Sequence, residues 1–448
     1  MAFLGAVALA SGLVPAPAVA QSMVAASTVD LVNGLRAARI KSREVRGFYA
    51  ARGFEPIWVE NGVLGPAAQT LLDLIETSEI DGLDPDDFRP RALRSAIERA
   101  EDGSPRDLIA AELLLSQSFV AVARAQQAPV DVGMISADRE LAPRQANAGA
   151  LLEAAGAASS LTDHLADVRW MNPLYGKLRR AALASPGWAE GNAVAPTEWR
   201  VVRANLDRLR ALPFDPGNRF ILVDAAAARL WMYRDGKVAG TMRVVVGKPS
   251  EPTPMMAGLI RYASVNPYWN IPPDLVRIRV APGAMAEGRQ FLRTKGFEVL
   301  SDWSESAKVI DPESVNWADV AQGRVDARVR QRPGPNNAMG RIKFMFPNDA
   351  GIYLHDTPEK ALLRESDRLF SSGCVRVEDA PRLAAWLFGK TVPLKGTAPE
   401  HRVDMPQPVP VYITYLTAAA ETGGVTFRDD VYGRDQPGGE RTLELARR

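Results

Sequence analysis

One cysteine, Cys374, is the only thiol in this chain of 448 residues, so no internal disulfide can brace it. Histidine is nearly as scarce: His164, His355 and His401 are scattered along the sequence, and with one cysteine they offer no metal-ligand spacing. No metal and no cofactor is therefore expected. An excess of one charge is also missing. Fifty-four basic residues face 53 acidic ones for a net +1, which removes the electrostatic case for nucleic acid. Beyond the first twenty residues no apolar run is long enough to span a bilayer, and no internal repeat is visible. What remains is an ordinary globular composition, 46% hydrophobic and 24% charged, in a chain long enough for two or three domains with a well-buried core.

The N-terminus reads as a leader. Ala2 to Val14 is apolar but too short to cross a membrane, and Ala18, Val19 and Ala20 form a small-x-small cleavage signal before Gln21. Residues 1–20 are expected to be a secretory signal peptide, although no Lys or Arg precedes the apolar run. Export to the periplasm, with no transmembrane segment in the mature chain, follows from that reading.

From about 28 to 213 the pattern is helical. Leu108, Ala111, Leu115, Phe119 and Val122 recur at spacings of three and four, one face of an amphipathic helix. Pro66 to Ile75 is similar, and the Asp81–Gly82 and Asp84–Pro85 pairs break the pattern. Tyr49, Phe54 and Trp58 read as core anchors of this region. His164, with no ligand set nearby, reads as a surface or satisfied residue.

At Phe214 the character changes. Arg219 to Asp224 and Arg229 to Arg234 are strand-like, and Asp235–Gly236 leads into Lys237 to Gly247, a hairpin signal. Further strands are expected at Arg261 to Val265, Gly340 to Phe346 and Val409 to Leu416. The polar stretch from about 273 to 338, with helical openings at Pro273 to Val280 and Gly288 to Lys295, reads as an insertion. It is either a solvated face or a lid over a groove. The fold class is thus α+β: a helical scaffold domain (28–213), then a mainly β domain (214–435) with that insertion, then a polar tail (436–448).

Chemistry concentrates between Gly351 and Pro381. Cys374 and His355 are too far apart in sequence to share one helix turn, so they can meet only if the fold joins two segments, as cysteine–histidine sites do. Ser371, Ser372 and Gly373 precede the cysteine, and small residues let a backbone turn tightly and aim amides at a substrate oxygen. A free thiol titrates near ~8.5, and a neighbouring histidine lowers that to roughly 3.5–7.5. The helix after the cysteine should be capped by Glu378 or Asp379, carry Pro381 in its first turn and end at Gly389. An inert buried thiol is the bland alternative.

These residues resemble a known family. IYLHDTP (Ile352 to Pro358) followed by SSGCVR (Ser371 to Arg376) resembles the catalytic signature of the L,D-transpeptidases, the YkuD-type domain. The resemblance is to the large Gram-negative branch typified by YcbB, in which Ser precedes the glycine and Arg lies two residues after the cysteine. NPYWNIP (Asn266 to Pro272), RPGPNNAMGRIKFMFPN (Arg332 to Asn348) and FRDDVYGRD (Phe427 to Asp435) are similar to that branch. FYAARGFEPIW (Phe48 to Trp58) and DGLDPDDF (Asp81 to Phe88) extend the likeness more loosely. Several segments in order are more specific than one motif. One departure is that the three-helix peptidoglycan-binding module of many relatives is not found between Trp170 and Thr197.

The resemblance implies a cysteine acyltransferase of the cell wall. Cys374 would be the nucleophile and His355 its base, with His401 the weaker candidate, and amides near Gly373 and Cys374 would hold the oxyanion. Ser372 and Tyr353 would orient His355 or the substrate amide, or merely pack. Arg376 would bind a substrate carboxylate or pair with Glu378. Trp269 and Tyr268 would wall the groove or belong to the core. The expected partners are peptidoglycan stem peptides, as donor and acceptor, and carbapenem-type β-lactams. Transfer to the amine of a second stem, at the third (diaminopimelate) residue, is the leading expectation. Hydrolysis, lipoprotein linking or cleavage, and non-catalytic wall binding are the alternatives.

Overall fold

Strand alternation closes a β-sheet on itself in the second half of the chain. This is a computed structural model, and it describes residues 27–185, 196–394 and 398–436. Eight strands follow one another around a ring: Ile342–Met345, Leu354–His355, Val375–Val377, Lys237–Gly247, Arg229–Arg234, Arg219–Asp224, His401–Thr414 and Met256–Val265. The last pairs back onto Ile342–Met345, so the sheet is a closed barrel. Asp235 and Gly236 both take positive φ, 51° and 72°, as a tight hairpin turn requires. Ile221, Val223, Val411 and Ile413 point inward to a shared core, while their neighbours Leu222 and Tyr412 point outward into the core of the helical domain. One barrel wall therefore serves two cores, each such side chain contributing about 1.5–3 kcal/mol on burial.

Helix Ala380–Phe388 lies against the barrel with Leu383 and Leu387 in its core. Asp379, not Glu378, is its cap, accepting from the Arg382 amide at 3.0 Å, and Gly389 ends it at φ 68°. The segment between the first and second parts of the barrel is not merely helical. Trp269–Ile271, Phe297–Leu300, Val309–Ile310 and Arg328–Gln331 form a four-stranded antiparallel sheet around a core of their own. A second element absent from the sequence reading is the hairpin Ala418–Glu421/Gly424–Phe427.

The helical domain is built on helix Pro105–Gln126, whose Leu108, Ala111, Leu115, Phe119 and Val122 are all fully buried. Its Glu112 accepts from the Tyr49 hydroxyl at 2.7 Å and from the amides of Ile57 and Trp58 at 2.7 and 3.0 Å. Burial pushes the Glu112 carboxyl up to about 7. Tyr49 and Trp58 are core residues, and Phe54 is partly buried at φ 66°. His164 is buried against Phe119 and Trp170 rather than exposed, and its Nε2 has no hydrogen-bond partner among the described residues. The proposed leader, the tail beyond 436 and residues 186–195 lie outside the described residues.

Further contacts join the halves beside that shared wall. Ile135–Ser136 adds a short parallel strand to Met256–Ala257, and Asp138 Oδ2 accepts from the Leu259 amide at 2.7 Å. Within the helical half, Asp81 is the polar hub. It is 1% exposed and accepts from Tyr175 Oη (2.6 Å), Gln126 Nε2 (2.9 Å) and Arg179 Nε (3.0 Å). Asp81→Ala would leave a buried guanidinium without its counter-charge, a loss of roughly 3–5 kcal/mol. Denaturant unfolding of the full chain should show that drop.

Candidate active site

The two strands that carry the histidine and follow the cysteine lie side by side. Leu354–His355 pairs in parallel with Val375–Val377, Leu354 opposite Val375 and His355 opposite Arg376. The Val375 amide donates to the Tyr353 carbonyl at 3.0 Å, which carries the pairing back one step, to Tyr353 beside Cys374. Side chains alternate along a strand. Leu354, Val375 and Val377 therefore enter the barrel core, and Tyr353, His355, Cys374 and Arg376 share the opposite face. Strand spacing and rise put the Cα atoms of His355 and Cys374 about 8 Å apart, a diagonal that two side chains can span.

That face opens into a cleft of about 1320 Å³. Its opposite wall comes from the small second sheet and its helices, including Trp269, Arg277, Arg279 and Phe291. The turn Val276–Val280 is π-helical, a widening that buries Val276 and Val280 while Arg277 and Arg279 line the cleft.

The turn before the cysteine is held on three sides. Gly373 sits at φ 106°, and a Cβ there would approach Ile352 Cδ1 to 3.2 Å, so glycine is required. Ser371 Oγ accepts from the Gly373 amide (3.2 Å) and donates to the Cys374 carbonyl (2.6 Å). Thr253 Oγ1 donates to the Gly373 carbonyl at 2.8 Å and accepts from the Gly247 amide at 2.8 Å.

Two family models match this chain: a scaffold domain over residues 43–181 and an L,D-transpeptidase catalytic domain over residues 218–412. The chain carries an L,D-transpeptidase catalytic domain preceded by a scaffold domain. It is 28% identical over 397 residues to a Haemophilus influenzae protein with a provisional L,D-transpeptidase name, spanning 87% of this chain and 77% of that one. Among solved structures, the Ldtfm-avibactam carbamoyl enzyme is 15% identical over 45% of this chain and 51% of its own, at TM-score 0.22. An L,D-transpeptidase from Mycobacterium smegmatis is 14% identical over 44% and 58%, at 0.23. The chain thus spans about half the length of these structures, and at such TM-scores the likeness decides nothing further.

Several side chains of this catalytic domain have partners that differ from the sequence expectation. Ser372 Oγ accepts from Arg279 Nη2 at 2.9 Å and also bonds Glu251, so it ties the turn before Cys374 to the opposite wall instead of reaching His355. Arg376 pairs with Glu359. Glu378 is taken by Arg243, whose amide and Nε reach it at 2.9 and 3.0 Å. Trp269 lines the cleft, whereas Tyr268 lies beneath the Arg330 guanidinium at 4.0 Å and does not. His401 is exposed at the start of a barrel strand, away from the cleft. The Gly373 amide is committed to Ser371, which leaves the Cys374 amide as the donor at this turn for an oxyanion.

The protonation states also depart from expectation. Burial pushes the Cys374 thiol up, against the pull of the Tyr353 backbone and Arg376. Its Sγ donates to the Gly351 carbonyl at 3.6 Å. His355 is 1% exposed, and burial, then Arg376 and Lys343, bring it down to about 4 against the opposing influence of Asp356. The resting pair is a neutral thiol and a neutral imidazole. His355 Nδ1 lies 2.6 Å from the Asp356 carbonyl. A carbonyl can only accept, so Nδ1 carries the proton and Nε2 the basic lone pair.

Thr253, Arg279 and Glu251 had no sequence signal beyond being polar, and Ser371 stood out only as a small residue of the turn before Cys374. Thr253→Val removes the bond to the Gly373 carbonyl, in the turn before Cys374, and the bond from the Gly247 amide, each worth about 1–3 kcal/mol when left unmade. Alkylation of Cys374 by iodoacetamide should change in rate severalfold while the fold is retained. A second expectation concerns acid. The unfolded His355 binds its proton near 6.5, the folded one only near 4, so the group's stability contribution is lost as pH falls from about 6.5 to 4. The unfolding free energy of the wild type relative to His355→Gln should fall across that window; Glu112, Asp224 and His164 titrate equally in both.

Proposed function

We propose that this protein is an L,D-transpeptidase that cross-links peptidoglycan between the third residues (diaminopimelate) of two stem peptides through a thioester on Cys374. The observation that carries this reading is the shared face of Tyr353, His355, Cys374 and Arg376, open to a cleft larger than the ~300–1,000 Å³ typical of small-ligand pockets. Such room suits a donor and an acceptor peptide together.

In the first step Sγ leaves the Gly351 carbonyl and attacks the carbonyl carbon between the L-centre of the third residue and the terminal D-alanine. The thiol proton passes to His355 Nε2 as the C–S bond forms. The oxyanion is met by the Cys374 amide. Collapse breaks the C–N bond, and the imidazolium returns its proton to the departing D-alanine amine. In the second step the side-chain amine of an acceptor diaminopimelate attacks the thioester and gives its proton to His355. The C–S bond breaks and the thiol is restored. Because both groups rest neutral, proton transfer accompanies attack; no standing thiolate–imidazolium pair is required. Arg376, held by Glu359 beside the reacting groups, adds positive charge where the oxyanion develops.

The proposed chemistry belongs in the periplasm, and the leader-like sequence of residues 1–20 supports that reading. Hydrolysis by water would make the same thioester a carboxypeptidase intermediate. Protein amines as acceptors would make the enzyme a lipoprotein-linking one. Incubation with disaccharide-tetrapeptide, with products resolved by mass, separates these outcomes: dimers with loss of D-alanine support transpeptidation, and tripeptide alone overturns it in favour of hydrolysis. Cys374→Ala should abolish either product.

Carbapenems should acylate Cys374 and appear as a mass adduct on the intact chain. The acid limb of that acylation rate is expected near pH 4, where His355 at last protonates and the base is lost. A limb near 6.5 would count against the neutral pair.

A further inference from the structure

The base has a support that the family signature does not explain. Asp356 follows His355, and its own carbonyl is the acceptor for Nδ1. Its amide donates to the Ile342 carbonyl at 2.9 Å. Its side chain is gripped from both sides: Oδ2 accepts from the Arg341 amide at 3.0 Å, and Oδ1 from Lys360 Nζ at 2.7 Å. Lys360 Nζ also donates to the Glu378 carbonyl at 2.8 Å, just past the end of the strand that follows Cys374. The grip requires a glycine opposite: at Gly340, φ 63°, a Cβ would stand 2.5 Å from both Asp356 Cβ and Oδ2.

We propose that the Asp356 carboxylate and Lys360 are positioning residues for His355, fixing the peptide whose carbonyl sets the imidazole's tautomer and ring angle. The inference rests on the reading of His355 as the base. A free peptide could rotate its carbonyl away, which would release Nδ1 and let the proton move to Nε2, the atom that must accept from sulfur. Three anchors limit that rotation by fixing the residue that carries the carbonyl: the Asp356 amide bond and the two carboxylate bonds. Lys360 extends the hold to the neighbouring strand, so base and nucleophile segments are fixed to each other. Neither Asp356 nor Lys360 needs to touch substrate for this role.

The charges facing the imidazole are Arg376 from the adjacent strand, Lys343 from the strand on the other side, and Asp356 itself. The first two disfavour the imidazolium and Asp356 favours it. Removing the carboxylate therefore has two separable effects, a loss of orientation and an acid limb displaced to lower pH.

The test uses the full chain and four variants: Asp356→Ala, Asp356→Asn, Lys360→Met and the double Asp356→Ala/Lys360→Met. Each is assayed for carbapenem acylation, for kcat and KM with disaccharide-tetrapeptide, for melting temperature and for imidazole ¹⁵N NMR, with His355 assigned by its loss in His355→Gln. Asp356→Ala is expected to lower kcat roughly 10–100-fold, the scale of a small misplacement, with KM nearly unchanged. The His355 signal should pass from one Nδ1–H tautomer to a mixture. Asp356→Asn, which keeps an oxygen for the Arg341 amide, should recover part of the loss. Lys360→Met should matter in the wild type and have no further effect in Asp356→Ala, because it acts through the same group.

A folded Asp356→Ala with kcat within twofold of wild type would overturn the proposal. So would a loss of kcat with the tautomer unchanged, since the effect would then not run through the imidazole. A variant that melts near room temperature passes the question to Lys360→Met, where an unchanged kcat and tautomer again overturn it. If the wild type itself neither acylates nor turns over, it is the functional reading that fails; the tautomer comparison still decides the positioning.

Discussion

The parallel pairing of Leu354–His355 with Val375–Val377 is the constraint on which the site depends. Two residues separated in sequence by a whole excursion of chain become diagonal neighbours, and their shared orientation follows from strand alternation alone. The same alternation sends Leu354, Val375 and Val377 into the barrel core, so apolar burial fixes the register that aligns the reactive groups. A slip by one residue would turn the sulfur and imidazole inward and expose the leucine and valines. Chemistry and core are thus opposite faces of one arrangement.

A second set of bonds reaches the turn before Cys374 from the domain junction. Arg208, on helix Pro196–Arg210, is fully buried and bonds Asp435 Oδ1 at 2.8 Å and the Arg434 carbonyl at 2.6 Å. Arg434 Nη2 donates to the Thr253 carbonyl at 2.9 Å, and the Tyr432 hydroxyl to the Gly247 carbonyl at 2.6 Å. Thr253 in turn holds Gly373. The segment from Phe427 to Asp435 therefore supports the turn from behind, which gives a physical reason for a motif that carries no obvious chemistry. The helical domain is joined to the candidate site through packed, bonded residues as well as through the chain.

Much of this was legible beforehand, and what was not has identifiable causes. The helix Pro105–Gln126 and the hairpin at Asp235 and Gly236 announce themselves by period and by turn residues, which are local properties. Cys374 and His355 stand out because such residues are rare in the chain. The small second sheet was missed because its strands are short, polar on one face and separated by helices, so no run of alternation is long enough to register. Partner choice was hidden for another reason. Ser372 could face His355 or Arg279, and Arg376 could face Glu359 or Glu378; sequence distance favours neither, and only the curvature of the barrel and the placement of the opposite wall decide. The protonation states were misjudged because a histidine's influence on a thiol was considered without the burial that both groups share.

The closed barrel has a consequence for how the molecule comes into being. Its ring is completed by His401–Thr414, which lies between a strand beginning at 219 and one beginning at 256. Until that late strand is synthesised and inserted, two long edges remain open and the wall facing the helical domain is incomplete. Contacts of such sequence separation form slowly. The barrel therefore cannot close until the last fifth of the chain is in place.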